Sequence, residues 1–179
     1  GSVTGRFSPG LKPDQPNNPP VLGPLGGVRV NISGGNTTFA DGNGNYTIAN
    51  GGTSAVTVNT TLIGRWSTVT NAAGAVLALS QGATPPGPAN FEFNSAPAEF
   101  TTAQVNAFRQ TEIVHNFVKS IVPTYPGIDI SLTTNVNVNN TCNANFNGSA
   151  INFYRAGGGC PNTAYSSVVW HEYGHFIIG

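Results

Sequence analysis

The sequence predicts an α+β protein in which a small all-β sandwich precedes an α+β segment. Short alternating runs of apolar and polar residues fill the first half, and an apolar period of three to four residues appears only after residue 100. A stretch with four prolines lies between them and is typical of a linker. The predicted division is therefore residues 1–80 for the β-sandwich, 81–100 for the linker and 101–179 for the α+β segment.

In the first half, the predicted strands are separated by turn residues. Gly34–Asn36 and Asp41–Asn45 supply the residues that adopt positive φ in tight hairpins. A further strand pair is expected at Thr61–Thr70 and Ala75–Leu79, around a turn at Asn71–Gly74. Many short strands with frequent turns favour a sandwich. The other strands of this half are predicted at Val3–Phe7, Val28–Ile32, Thr37–Phe39, Tyr46–Ile48 and Ala55–Val58.

The second half opens with a helix predicted from about Thr102 to Val122. Thr101 or Thr102 is expected to cap this helix, and Pro123 is expected to end it. Its apolar residues recur at spacings that place them on one stripe of the helix. The stripe consists of Val105, Phe108, Val114, Phe117, Val118 and Ile121.

A second β-region and a final helix are predicted after Pro123. The strands are expected at Ile128–Leu132 and Asn135–Val138, followed by a hairpin through Asn143–Tyr154. The final helix is predicted to begin near Asn162 or Thr163 and to run through the end of the chain.

Charged residues are scarce, and this scarcity excludes some classes of partner. Only 8% of the 179 residues are charged and the net charge is zero, whereas 22 residues are Asn. A sparse and balanced charge set predicts no nucleic-acid binding and no binding to an anionic membrane surface. No stretch approaches the ~18 consecutive apolar residues of a membrane span, so none is expected.

The two cysteines, Cys142 and Cys160, flank a single segment. An even pair at this spacing predicts a disulfide formed in an oxidising compartment, with two buried free thiols as the alternative. We therefore expect a secreted, extracellular protein.

The last predicted helix contains the motif His171-Glu172-Tyr173-Gly174-His175. Residues four apart on a helix lie on the same face, so both imidazoles are expected to reach one Zn²⁺ ion. In such motifs the glutamate acts as the general base that activates water, which assigns that role to Glu172. The alternative is a helix in which the two histidines form hydrogen bonds in a core and Glu172 is solvated.

Two histidines do not complete a catalytic zinc site, which usually has three protein ligands. His115 is the only other histidine; it is either an unusual third ligand or a core residue beside Glu112. The extension that supplies a third histidine in metzincins needs Gly where Ile178 stands, so that solution fails. The remaining common solution is a Glu from a downstream helix, which residues 1–179 do not contain.

The segment Val168–His175 resembles the active-site helix of gluzincin metallopeptidases, and its HEYGH motif is most similar to the fungalysin type. Asn143–Gly148 resembles the Asn-Ala-aromatic-aromatic-Asn-Gly edge strand of thermolysin-like enzymes, except that Asn145 replaces an aromatic residue. The resemblance implies that Asn143 and Ala144 align a peptide substrate by strand addition. It further implies that 101–179 is the truncated N-terminal part of a zincin-like domain, without its C-terminal half.

The first half carries a second resemblance. Pro24–Val30, followed by Asp41–Tyr46, is similar to carboxypeptidase-regulatory-like, transthyretin-like β-sandwiches, which implies a flanking module without catalytic residues. The Asp41-x-Asn43-x-Asn45 spacing also suggests calcium, but an EF-hand would need Gly at Tyr46 and Glu at Gly52, so a hairpin turn is favoured.

Two functions follow from these observations. In the first, the chain is the front part of a secreted zinc endopeptidase, inactive or nearly so as residues 1–179 alone; an aminopeptidase is left open because exopeptidase elements would lie downstream. In the second, the chain is a non-enzymatic binding or surface-display β-module whose peptidase-like region is degenerate.

Overall fold

The computed structural model describes the whole chain, residues 1–179, and it is a mixed α/β protein with two helices and mostly β-sheet. This agrees with the predicted α+β class. The elements in chain order are β1 Ser2–Phe7, β2 Val21–Pro24, β3 Val28–Ile32, β4 Thr37–Phe39, β5 Val56–Gly64, β6 Ser67–Asn71, β7 Ala78–Ala83, β8 Asn90–Phe93, α1 Glu99–Ile121, β9 Leu132–Val138, β10 Ala144–Phe146, β11 Ala150–Tyr154 and α2 Ser166–Ile178.

Eight strands form the larger sheet. Seven of them follow the order β10-β11-β9-β6-β5-β3-β4, and β7 pairs with β5 beside this path. Strand β9 is parallel to β6 on one side and to β11 on the other, whereas β10 is antiparallel to β11. Strand β10 therefore lies at one edge of the sheet. The parallel pairing of β6 with β9 joins the two halves of the chain in one sheet.

The smaller sheet has three strands in the order β2-β1-β8. Strand β1 alternates between buried and half-buried residues, the pattern of a strand with one face in the core. It is antiparallel to β2 and parallel to β8, with Val3 opposite Phe91. The two sheets are sandwich-like, and both contain strands from before and after residue 80.

Helix α1 contacts both sheets and the second helix. It packs against β1 of the smaller sheet, against β5, β6 and β9 of the larger sheet, and against α2. Every residue from Thr102 to Phe108 is buried, so this part of the helix is enclosed rather than amphipathic. One hydrophobic cluster of 28 buried residues runs from Val3 to Tyr173.

These pairings correct the predicted division of the chain. The stretch 81–100 is not an open linker, because it contains the end of β7, all of β8 and the start of α1. Residues 1–80 do not form a separate sandwich either, since β1 needs β8 and β6 needs β9 as neighbours. The prolines that suggested a linker lie in the loops that flank β8.

Several local predictions are confirmed, and others need correction. The strands at β1, β3 and β4 and the hairpin of β10 and β11 are where the sequence predicts them. Tyr46–Ile48 forms no strand, and Ile128–Leu132 is irregular up to Leu132, where β9 begins. The predicted pairing across the turn at Asn71–Gly74 is wrong, because β7 pairs with β5 instead of β6.

Helix α1 begins earlier than the sequence predicts. Its N-cap is Ala98 instead of Thr101 or Thr102. Thr101 still contributes, because its hydroxyl accepts a hydrogen bond from the Ala98 N–H at 3.1 Å. A side-chain acceptor three residues into the helix satisfies an N–H that the helix leaves free.

The predicted apolar stripe of α1 is only partly covered. Val105 and Phe108 are fully buried, whereas Phe117 and Ile121 are 61% and 64% exposed. The stripe therefore extends beyond the part of the helix that the two sheets enclose. Neither helix combines the length and apolar character that crossing a membrane would need.

Candidate functional site

The residues of the predicted zinc motif lie on α2, which has two different faces. Val169 and Tyr173, four residues apart, are 0% and 1% exposed and face the core, and burial raises the pKa of Tyr173. Successive residues of a helix are about 100° apart, so His171 and His175 fall on the opposite, exposed side. The burial of the Val169 face against the rest of the molecule thus fixes where the two imidazoles point.

The two imidazoles converge on each other. Their Nε2 atoms are 3.1 Å apart and their ring planes are inclined by 79°. Two nitrogens that bind one tetrahedral Zn²⁺ at 2.0–2.1 Å are about 3.3 Å apart. The observed separation therefore fits a shared zinc ion. A direct hydrogen bond between the two rings accounts for the same distance if one ring is the donor.

Glu172 is buried but keeps contact with solvent. It is 5% exposed, and no group of the chain donates a hydrogen bond to its carboxylate. The only fully buried side-chain oxygen or nitrogen without a partner is Asn94 Oδ1, so the carboxylate oxygens of Glu172 must still touch water. They do so through a cleft of about 440 Å³ that Glu172 and His171 line together.

The cleft also brings the predicted substrate-binding residues next to the motif. Asn143 and Ala144, at the start of β10, line the same cleft as His171 and Glu172. The four residues come from two elements that are separated along the chain by β11 and the loop before α2. The structure therefore brings together four of the five residues predicted for catalysis, metal binding and substrate binding, while His175 lies beside them on the exposed face.

The outer edge of β10 has free backbone groups. The Asn147 N–H donates a hydrogen bond to the Ala150 carbonyl at 3.1 Å, which makes these two residues a hydrogen-bonded pair of the hairpin. Hydrogen-bonded and non-hydrogen-bonded pairs alternate along antiparallel strands, so Asn145 is the next residue of β10 that bonds to β11. The N–H and C=O groups of Ala144 and Phe146 consequently point away from β11. No other group of the chain bonds to them, which leaves an edge that can accept one more strand.

The predicted disulfide is present and forms part of the cleft wall. Cys142 and Cys160 are bonded to each other, and both line the cleft. The bond ties the segment just before β10 to the loop that leads into α2. Thr163 adds a second tie, because its hydroxyl donates to the Asn143 carbonyl at 3.1 Å. The edge strand and the motif helix are therefore held together at one end of the cleft.

His115 is a core residue and not part of this site. It is 1% exposed and stacks on Trp66 with 3.8 Å between ring centroids. Its Nε2 lies 3.1 Å from Asp129 Oδ1, and its Nδ1 lies 3.3 Å from Asn116 Oδ1. No group of three or more His, Cys, Asp or Glu side chains in residues 1–179 is arranged to hold a metal ion, so His115 does not join His171 and His175.

Glu112 is a second buried glutamate, away from the cleft. It is 5% exposed, and its Oε1 accepts a hydrogen bond from the backbone N–H of Trp66 at 3.0 Å. Burial raises the pKa of Glu112 to about 7, although the Trp66 N–H and the charge of Arg65 act in the opposite direction. The sequence places Glu112 beside His115, but the carboxylate partner of His115 is Asp129.

Two contacts that position α2 and the loop before it are not evident from the motif alone. Gln110 of α1 accepts a hydrogen bond from the Trp170 indole at 3.1 Å, and Asn106 donates to the Ala164 carbonyl at 2.9 Å. The signal in the sequence is that Asn106 and Gln110 are polar residues four apart, on one face of the helix, and both are buried. Such a row predicts buried hydrogen bonds but does not identify the partners.

No known family matches the chain in a scan of protein-family models. A search of curated proteins likewise found no relative.

Proposed function

We propose that this chain is the first part of the catalytic domain of a secreted zinc endopeptidase of the gluzincin type. The observation that carries the proposal is the shared cleft, in which His171 and Glu172 face Asn143 and Ala144 at the edge of a sheet. An enzyme that cleaves peptide bonds needs a water-activating group next to a surface that holds an extended peptide, and this cleft offers both.

In this proposal His171 and His175 hold the zinc ion through their Nε2 atoms. Zinc, when bound at such a site, lowers the pKa of water and polarises a carbonyl group as a Lewis acid. The exposed position of both rings on α2 leaves them accessible to the ion.

Glu172 takes up the proton of the attacking water and passes it to the leaving amine. Its carboxylate is well suited to this role because no donor of the chain occupies it and because its remaining solvent contact is through the cleft. General bases of this kind contribute roughly 10²–10⁴-fold to a rate.

The substrate is expected to bind as an extra strand along β10. The free N–H and C=O groups of Ala144 and Phe146 would form the backbone hydrogen bonds, since β10 is the last strand of its sheet. Asn143 is exposed at the start of the strand, where its amide can bond to the substrate backbone. The disulfide next to it ties this edge to the loop that leads into α2.

A third zinc ligand must come from outside residues 1–179. Catalytic zinc sites usually have three protein ligands, and the structure has no third candidate beside His171 and His175. We expect it to be a Glu on a helix that follows, so that residues 1–179 alone have little or no activity. The resemblance of residues 1–80 to an independent flanking module is not part of the proposal, because these strands share sheets with the second half.

The disulfide supports the proposed secretion, because such bonds persist in oxidising compartments.

Zinc binding to the 179-residue chain tests the metal site. Calorimetric titration with ZnCl₂ is expected to give one saturable site, which the His171→Ala and His175→Ala variants weaken at least tenfold. Glu172→Gln is the matched control, since it lies between the ligands and is expected to keep zinc affinity. Zinc binding that survives both histidine substitutions would contradict this site.

A longer protein that continues beyond Gly179 tests the catalytic role. There, Glu172→Gln is expected to lower the rate of peptide hydrolysis at least a hundredfold while zinc stays bound. Undiminished hydrolysis would refute the assignment of Glu172 as the general base.

A further inference from the structure

A second cavity, of about 310 Å³, lies between the loops that flank β3 and β4 and the middle of α1. No residue of α2 or β10 lines it, so it is separate from the cleft described above. Its walls contain two arginines, Arg65 from the turn after β5 and Arg109 from α1. Two of the five arginines of the chain therefore line this one cavity.

Neither arginine forms an ion pair or a side-chain hydrogen bond within the chain. The ion pairs of the protein involve Arg6, His115 and Lys119, and none of them includes Arg65 or Arg109. Neither guanidinium group donates a hydrogen bond to another residue either. Arg109 is half-buried, and burial lowers its pKa, which indicates that its charge is partly removed from water without compensation.

Aromatic rings hold both guanidinium groups by their faces. The Cζ atom of Arg65 lies 4.8 Å from the centroid of the Phe39 ring, and that of Arg109 lies 3.8 Å from the centroid of the Phe7 ring. Stacking of this kind restrains a guanidinium group but leaves its in-plane N–H donors free. Those donors have the geometry that pairs with two oxygens of a carboxylate or phosphate group.

Neither acidic residue of the cavity forms an ion pair with the two arginines, although the charge of Arg65 acts on Glu112 over a longer distance. The Asp41 carboxylate accepts hydrogen bonds from the N–H groups of Asn43 and Asn45, both at 2.9 Å, and thereby shapes its own loop. Glu112 lies more than 4 Å from both guanidinium groups and accepts from Trp66. Because burial raises the pKa of Glu112 to about 7, this group is only partly charged at neutral pH.

We propose that this cavity is a binding site for a small molecule that carries a carboxylate or phosphate group, held by Arg65 and Arg109. Each guanidinium group supplies unused N–H donors, and the cavity has room for a molecule of a few carbon atoms besides the anionic group. This inference does not depend on the proposed peptidase activity.

The chain provides a reporter for each cavity, because it has only two tryptophans. Trp66 lines the arginine cavity, whereas Trp170 directly precedes His171. In ¹H–¹⁵N NMR spectra of the 179-residue chain without zinc, titration with sodium succinate and, separately, with inorganic phosphate is expected to shift the Trp66 indole signal saturably. The Trp170 indole signal is expected to stay in place. Comparing the two probes shows whether the site prefers carboxylate or phosphate.

Arginine variants identify the donors. Arg65→Gln and Arg109→Gln are each expected to weaken binding of the preferred probe at least tenfold, since each removes charge-assisted hydrogen bonds. Arg155→Gln is the matched control, because Arg155 is exposed and lies outside the cavity. If Arg109→Gln fails to fold, Arg65→Gln alone decides, since the Arg65 side chain is exposed and its loss should leave the core intact.

Three results would overturn the proposal. The first is a Trp66 shift that grows linearly without saturation for both probes. The second is equal binding of succinamide, which has the shape of succinate without its charge. The third is an Arg155→Gln variant that loses as much affinity as the two cavity variants.

Discussion

The buried Glu112 should make the free energy of unfolding of this protein depend on pH. A single substitution of Glu112 should remove this dependence. The carboxyl group is 5% exposed, and its pKa rises from 4.5 to about 7 on folding because burial penalises the charged form. A raised carboxyl pKa means that the folded state binds more protons than the unfolded state between these two values. Stability is therefore expected to fall as the pH rises from about 4.5 to about 7, and to level off above that range.

The size of the effect follows from the shift in pKa. One pKa unit corresponds to 1.36 kcal/mol, so a rise from 4.5 to about 7 corresponds to a loss of ~3 kcal/mol from the free energy of unfolding. Glu112→Gln removes the titration but keeps an oxygen that can accept from the Trp66 N–H. Any packing cost of the amide does not change with pH, so the difference between variant and wild type isolates the carboxyl group.

Urea unfolding of both proteins at pH 4.5 and at pH 8, followed by tryptophan fluorescence, measures this difference. We expect Glu112→Gln to gain ~3 kcal/mol relative to wild type between the two pH values. Parallel pH profiles of the two proteins would refute the reasoning, because they would mean that Glu112 titrates alike in the folded and unfolded states.

Two further predictions concern the cleft and its supports. Reduction of the bond between Cys142 and Cys160, which are 18 residues apart, should lower the free energy of unfolding by about 3 kcal/mol. Urea unfolding with and without reductant measures this loss, and equal unfolding midpoints would contradict it. Gln110→Ala should lower the free energy of unfolding by ~1 kcal/mol and weaken zinc binding, because the Trp170 indole, next to His171, loses its hydrogen-bond acceptor. Gln15→Ala, at an exposed position, is the control and should change neither quantity in the same assays.

Local structure was largely predictable because its signals lie within short windows of sequence. The apolar period between Val105 and Ile121 predicts α1, and the segment Asn143–Tyr154 is predicted as a hairpin, which β10 and β11 form. The start of α1 was predicted too late, since Ala98 caps the helix without a polar side chain.

Long-range pairing was not predictable from the same patterns. Strand β7 follows β6 across the short turn at Asn71–Gly74, yet it pairs with β5 because that strand is nine residues long and has an open side along its first six. The prolines on both sides of β8 predict loops, and they do lie in loops. They carry no information about the four-residue strand that lies between those loops, so the whole stretch was interpreted as a linker. The single core that crosses residue 80 follows from these pairings and not from composition.

The candidate site was predicted in its parts but not in its assembly. The spacing of His171 and His175 is enough to place two imidazoles on one helix face, and the structure adds their 3.1 Å separation. The cysteine pair was correctly predicted as a disulfide. That the disulfide would stand in the wall of the cleft depends on how α2 packs against β10 and β11, which sequence spacing does not describe. The meeting of Arg65 with Arg109 has the same origin.

The parallel pairing of β6 with β9 also affects how the chain is made. At a synthesis rate of 5–20 residues per second, the ribosome needs about 3–13 s to proceed from the end of β6 at Asn71 to the end of β9 at Val138. During that interval one side of β6 has no neighbour, and β1 must likewise wait for β8. Unpaired strand edges are where nascent chains aggregate. Because few residues are charged, electrostatic repulsion between growing chains is weak. The solubility of the growing chain then depends on hydration of its uncharged polar side chains, among which Asn is abundant.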